Sequence, residues 1–329
     1  MAFSNTVGQT TFNTRKVIDR AFGRCKVTPQ HISAEYIDIA KDALFLMLSE
    51  WSNAGAPLWC IEKTIYPLYD GVAQVTTALG TVDLREVNLR MLQEATGTNT
   101  DAAASRTIEF TDDTIVMTVG IKWSGASVPL ALERSDDGST WATIQTETDP
   151  AAVSGDWTWF DLESVVAASY FRVRATSGSL AFEQIYLGNT PTEIPVYRMN
   201  RTEYTSLPNK TSKSSRPTQY YLERDSRQPV LQLWPMPDSS AETNQLIVWR
   251  QRHIMDVGNL TQEVEVPQRW YNAVVAGLAC RLALDVAEVD MQMHMLLKPL
   301  ADEALSLAYE EERDKGTFSL APAIGMYTA

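Results

Sequence analysis

With 329 residues, 44% of them hydrophobic and 21% charged, the chain has the make-up of an ordinary globular protein with room for about two domains. No uninterrupted apolar run approaches the ~18 residues of a membrane span, so no membrane anchor is expected. The net charge of −13 argues against a free-standing DNA binder, because affinity for DNA comes largely from neutralising phosphates.

The opening MAFSNTVGQTTFNTRK lacks the apolar core of a secretory signal, which points to synthesis in a cytoplasm. Cys25, Cys60 and Cys280 are odd in number, widely spaced and without CxxC spacing, so no disulfide framework is expected. Charge is uneven along the chain. Residues 101–190 hold 5 basic and 13 acidic side chains, 196–227 hold 7 and 3, and 285–315 hold 3 and 9. Signed patches of this kind suit protein–protein assembly, although solvated faces of no special role would look the same.

In chain order, 16–27 (KVIDRAFGRCKV) predicts a short helix ended near Pro29. Ser33 then caps a helix over 33–54, in which Tyr36, Ile39, Ala40, Ala43, Leu44, Met47, Leu48 and Trp51 recur at helical spacing. Strand formers follow at 58–69, a turn at Asp70-Gly71, and further strand-like sequence to Leu92. The small, polar stretch 95–105 (ATGTNTDAAAS) reads as a linker and a domain boundary. From Arg106 to Leu187, strand candidates at 114–122, 128–133, 140–145, 156–161, 170–174 and 180–186 alternate with turns, which suggests a β-sandwich.

Beyond Asn189, strands are expected at 218–223, 229–234 and 245–252. The segment 267–315 carries an apolar stripe through Trp270, Val274, Leu278, Leu282, Val286, Val289, Met293, Leu296, Leu300, Ala304 and Leu307. Pro299 should end or kink it near Lys298, giving two helices, with Gly316 as the final stop. The helices of the two chain ends are natural partners. The expected fold is therefore α+β: a discontinuous helical base with a small β part (1–100 and 190–316), an inserted antiparallel β-sandwich (101–189) and a C-terminal tail (317–329).

Chemistry is sparse. His31, His253 and His294 lie in separate segments without HxxxH or HExxH spacing, and GxGxxG, Walker A and GxSxG are missing. No catalytic residue, cofactor or metal is expected. Asp112-Asp113 and Asp136-Asp137 could offer oxygens to calcium, but Asp137-Gly138 fits a hairpin turn better. Glu310, Glu311 and Glu312 read as the wet face of a final helix rather than acid–base groups. The tryptophans offer two readings: Trp157 and Trp159, two apart on a strand, as core, and Trp123 and Trp141 as sugar contacts. Lys210, Lys213 and Arg216 could line a channel or meet an acidic neighbour, or form a solvated loop. The tail, with Phe318, Leu320, Ile324, Met326 and Tyr327, is apolar enough to order on a partner.

Two resemblances sharpen this. LERSDDGSTWATI, GDWTWFDL, YFRVRA and FEQIYLG resemble the galactose-binding-like sandwiches that include discoidin domains, which often bind sugars through loops with no fixed motif. LFLMLSEWSNAGAPLW (44–59), RTEYTSLPNK (201–210), RPTQYYLERD (216–225), LQLWPMPD (231–238) and VPQRWYNAVVAGLACRLA (266–283) together resemble the head-to-tail adaptors of short-tailed bacteriophages. That resemblance implies a virion protein forming a homo-oligomeric ring of about twelve copies. The ring would dock on the portal protein through an extended terminus, meet tail nozzle or fibre proteins, and let double-stranded DNA pass. A carbohydrate-binding, adhesin-like role for the sandwich is the alternative.

Overall fold

A computed structural model describes residues 12–54, 58–148, 150, 154–162, 165, 167–225, 228–286 and 289–312. The chain divides into two compact units, 1–62 with 251–329, and 63–250.

The first unit is built from α1 (Thr14–Arg24), α2 (Ala34–Asn53), α4 (Tyr271–Asp285) and α5 (Met291–Glu312) around one core. The side chains of Asn13 and Ser33 accept from the Lys16 and Tyr36 amides, satisfying donors that a helix start leaves free. Val17, Ile18, Phe22, Leu44, Met47, Trp270, Val274, Leu278 and Leu282 are all essentially inaccessible. Gly277 lets α4 approach α2 closely, because a Cβ there would lie 2.7 Å from Met47 Sδ. Trp270 anchors an aromatic cluster with Trp51, Trp59 and Tyr309, ring centroids 5.0–5.3 Å away.

Three expectations about this unit need correction. The fourth helix ends at Asp285, where Val286 turns extended, the fifth starts at Met291, and Pro299 sits inside it. Pro299 is exposed, so water can serve the carbonyl that loses its partner, and the helix continues. The break also resets the helical phase. The buried face of α5 is Leu297, Ala301, Ala304 and Ala308, whereas Leu296, Leu300 and Leu307 face solvent. Glu312 is likewise buried rather than wet. Its carboxylate takes Arg269, the Trp270 indole N–H at 3.2 Å and the Leu58 amide at 3.2 Å.

The second unit is mainly antiparallel sheet, together with the short α3 (Arg201–Ser206). A six-stranded sheet runs β1 (Ile61–Pro67), β17 (Gln245–Arg252), β3 (Thr81–Glu94), β11 (Phe182–Pro195), β6 (Thr118–Trp123), β9 (Trp157–Asp161); the outer ends of β1 and β17 belong to the first unit. A five-stranded sheet runs β4 (Thr98–Ala102), β5 (Ser105–Thr114), β10 (Ala168–Ala175), β7 (Leu130–Ser135), β8 (Ala142–Glu147). A core that includes Ile108, Val119, Ile121, Trp123, Leu130, Leu132, Phe171 and Val173 joins this sheet to β6, β9 and the first half of β11, which makes a β-sandwich. A separate core holds Leu68, Leu84, Leu89, Tyr220, Leu231, Leu246 and Val248 under a third sheet, β12 (Tyr197–Met199), β14 (Gln219–Glu223), β15 (Val230–Trp234), β2 (Gln74–Thr76). The remaining pair is β13 (Lys213–Ser214) with β16 (Met236–Pro237).

The stretch 95–105 is not a linker but holds β4 and its turn into β5. Gly97 abuts the Glu109 carbonyl so closely that a Cβ would sit 2.4 Å from it. Small polar residues suffice because β4 is an exposed edge strand. Position 189 lies inside β11, which pairs with β6 up to Gly188 and with β3 from Gly188 onward.

Candidate functional site

Trp141 immediately precedes β8, beside the Asp136–Thr140 turn. That turn is fixed by Asp137, whose carboxylate accepts from the amides of Ser139 and Thr140 at 2.8 and 2.7 Å and from Ser135 Oγ at 2.9 Å. Backbone donors, Thr140 first, hold this carboxyl well below the usual carboxylate range. Gly138, at φ +69°, supplies the left-handed residue the turn needs. The Asp136-Asp137 pair is therefore turn chemistry. Among the described residues no group of three His, Cys, Asp or Glu side chains comes together to hold a metal.

The Arg172 guanidinium lies 3.9 Å from the centre of the half-buried Trp141 ring. Arg172 and Arg174 both reach Glu133, which is 3% exposed. Burial pushes the Glu133 carboxyl up, and hydrogen bonds from Arg174 and Arg172 outweigh it, leaving it below the usual range. The series Trp141, Arg172, Glu133, Arg174 runs from the edge of β8 across β10 and β7, the last three residues being held by the sheet. Trp141 lines a cavity of about 280 Å³ with Arg134, Asp136 and Thr140. An aromatic face beside charged side chains is the kind of surface on which a sugar ring stacks and hydrogen-bonds.

Trp123 is not part of it. Its side chain is fully inaccessible in the sandwich core, and its indole N–H donates to Thr158 Oγ1 at 3.0 Å. Trp157 and Trp159 do share one side of β9, stacked with centroids 5.1 Å apart. Phe160, the next residue along β9, belongs to the sandwich core; Trp159 packs instead against Tyr186 and the bare Gly120.

Part of the basic stretch is paired within the second unit. Lys213 pairs with Asp70 at 2.8 Å, while Arg198 and Arg224 share Asp83. Lys210 donates to the Thr205 carbonyl at 3.1 Å, near the end of α3. Arg216 is exposed, and among the described residues its backbone amide donates to Ser214 Oγ while its guanidinium forms no ion pair. Phe318, Leu320, Ile324, Met326 and Tyr327 lie outside the described residues.

In the first unit, Leu296, Leu300 and Leu307 are 64, 56 and 55% exposed along one line of α5. Sequence reasoning counted them as core and overlooked Arg172 altogether. Cys280 and His294 meet between α4 and α5, the sulfur 3.6 Å from Nδ1, and burial pushes the thiol up, away from nucleophilic chemistry.

The second unit thus presents a β-sandwich with a tryptophan-lined loop cavity, and the first an α-helical unit with an apolar outer line. No protein-family model and no curated protein matches the chain. Several solved structures resemble part of it. They include CpGH89CBM32-6 produced by Clostridium perfringens (13% identity, TM-score 0.24, 39% of this chain and 94% of that one). Others are a family 32 carbohydrate-binding module from Streptococcus pneumoniae EndoD (11%, 0.24, 38% and 100%) and a chitosan-binding module from a Paenibacillus sp. IK-5 chitosanase/glucanase (14%, 0.23, 38% and 99%). The sandwich assignment rests on the strand order and core given above.

Proposed function

We propose that the chain is a non-enzymatic virion protein, a ring-forming head-to-tail adaptor of a short-tailed bacteriophage. The observation that carries this is the leucine line of α5. Three large apolar side chains in register on a well-packed helix are a surface for another protein rather than for water. The sequence blocks that resemble adaptors supply the kind of assembly: a ring under the portal, with DNA passing through it. In that role Arg216 and the neighbouring Lys210 would face DNA or an acidic neighbouring subunit, and 317–329 would grip the portal. Size-exclusion chromatography with light scattering, on the chain alone and mixed with portal, tests the reading. A ring in the mixture is expected; a chain that stays monomeric in both overturns it. Removing 317–329 should weaken portal docking while leaving the helical signal intact.

A second reading concerns the sandwich alone, and the Trp141–Arg172 arrangement beside its cavity favours it. There the protein would bind carbohydrate, with Trp141 as stacking platform. Binding on a glycan array should be lost in Trp141→Ala; an array without any hit would remove this reading and leave the adaptor role untouched.

A further inference from the structure

The first unit carries a second surface, a groove of about 560 Å³ between α1 and α4. Phe12 and Tyr271 form its aromatic wall, ring centroids 4.9 Å apart. Gly23 leaves it open: a Cβ there would meet nothing within 4 Å. Arg20 and Arg24 line it, and Arg24 is held across it by Asn272 Oδ1 at 2.6 Å. Asp19, the carboxylate at the rim, is already engaged by Arg15 through both oxygens at 2.9 and 3.0 Å. The groove is therefore apolar in its wall and cationic in balance.

The outer line of α5 has the opposite character. Positions 296, 300, 303, 307 and 310 alternate steps of four and three, so they form one stripe, reading Leu, Leu, Glu, Leu, Glu. Glu303 and Glu310 are exposed and form no ion pair among the described residues. The adjacent face of α5, about 100° round the helix, is fixed in its own core through Leu297, Ala301, Ala304 and Ala308, so the stripe cannot turn into the groove of its own chain.

We infer that the Leu296–Glu310 stripe of one copy seats in the Arg20/Arg24 groove of a second copy, leucines on the Phe12–Tyr271 wall and glutamates on the two arginines. The inference rests on the assembly reading above and names the contact that would build the ring. Because stripe and groove are different surfaces, the contact is heterologous: each copy offers a stripe to one neighbour and a groove to the other, and the chain of contacts closes if the rotation per copy permits.

A photo-cross-linking amino acid in place of Leu300, in the full-length chain, tests it by peptide mapping of the cross-linked dimer, alone and with portal. Adducts on α1 or at Tyr271 and Asn272 are expected. Gly23→Trp should fill the groove and cut the cross-link about tenfold or more, with an unchanged circular-dichroism spectrum. Reversing Arg20 and Arg24 to Glu should do the same, and adding Glu303→Arg with Glu310→Arg should restore it. Adducts confined to another surface, or a cross-link indifferent to Gly23→Trp, overturn the contact. So does a charge reversal that the second pair fails to rescue. If the chain still forms rings with portal under those outcomes, the assembly reading stands and only this contact falls; if it forms no oligomer at all, both fall.

Discussion

Glu312 shows how much one side chain can hide from a sequence reading. In a run of three glutamates it looks like surface, yet it ties α5 to Arg269, to the Trp270 indole and to the Leu58 amide. Glu312→Ala leaves a buried indole N–H and an amide without acceptors, and should cost ~2 kcal/mol in urea unfolding. Glu311→Ala, one position earlier on the exposed side, should change little. Nothing in the sequence separates the two, because the distinction is made by Trp270, more than forty positions away. Glu133 gives the pH counterpart. Its folded pKa lies below the unfolded one, so its contribution is complete above the ordinary carboxylate value of about 4.3 and is lost as pH falls through the lower folded value. Stability should therefore decline on acidification below about pH 4.3, and Glu133→Gln should flatten that decline while lowering stability at neutral pH. Trp141 was legible as a candidate because tryptophan in a turn-rich stretch is conspicuous. Its partner Arg172 was not, since it comes from β10.

At the scale of elements, α5 carries two stripes, and only one can face the core. Periodicity favours the leucine stripe; packing selects the alanine one, because small side chains let α5 lie close to α4. That choice is testable by a pair of neighbours. Leu297→Asp should destabilise by more than ~3 kcal/mol, as an unpaired buried charge does, whereas Leu296→Asp should stay within ~0.5 kcal/mol. Equal costs in thermal unfolding would reverse the assigned face. Helices α2 and α4 were readable for plain reasons: Ser33 and the 36–51 pattern specify α2 locally, and α4 repeats apolar residues without interruption; the six-residue α3 was not expected. The β4–β5 hairpin was not, because an exposed edge strand needs no alternation to form.

For the whole molecule, the turn-punctuated stretch between Arg106 and Leu187 announced a sandwich, and a sandwich core is present there. What could not be read was that β11 outlasts it. The first half of that strand completes the sandwich, and the second pairs with β3 beside another core. Excision must respect this. Removing 95–187 and joining Glu94 to Gly188, which face each other in register, through a two-residue Asn-Gly turn should leave a folded remainder. Removing 101–189 strands the residues of β4 and cuts into β11, and should yield a less stable product by thermal melting.

That β11 serves both cores, across a register shift between Asn189 and Thr192, also has a mechanical meaning. A pull on the sandwich, from a tethered ligand or a moving neighbour, meets no slack spacer. It is passed along one strand, through the bulge at Asn189–Thr192, into the rungs shared with β3. Whatever the sandwich grips, the β3 side of the sheet feels the tug.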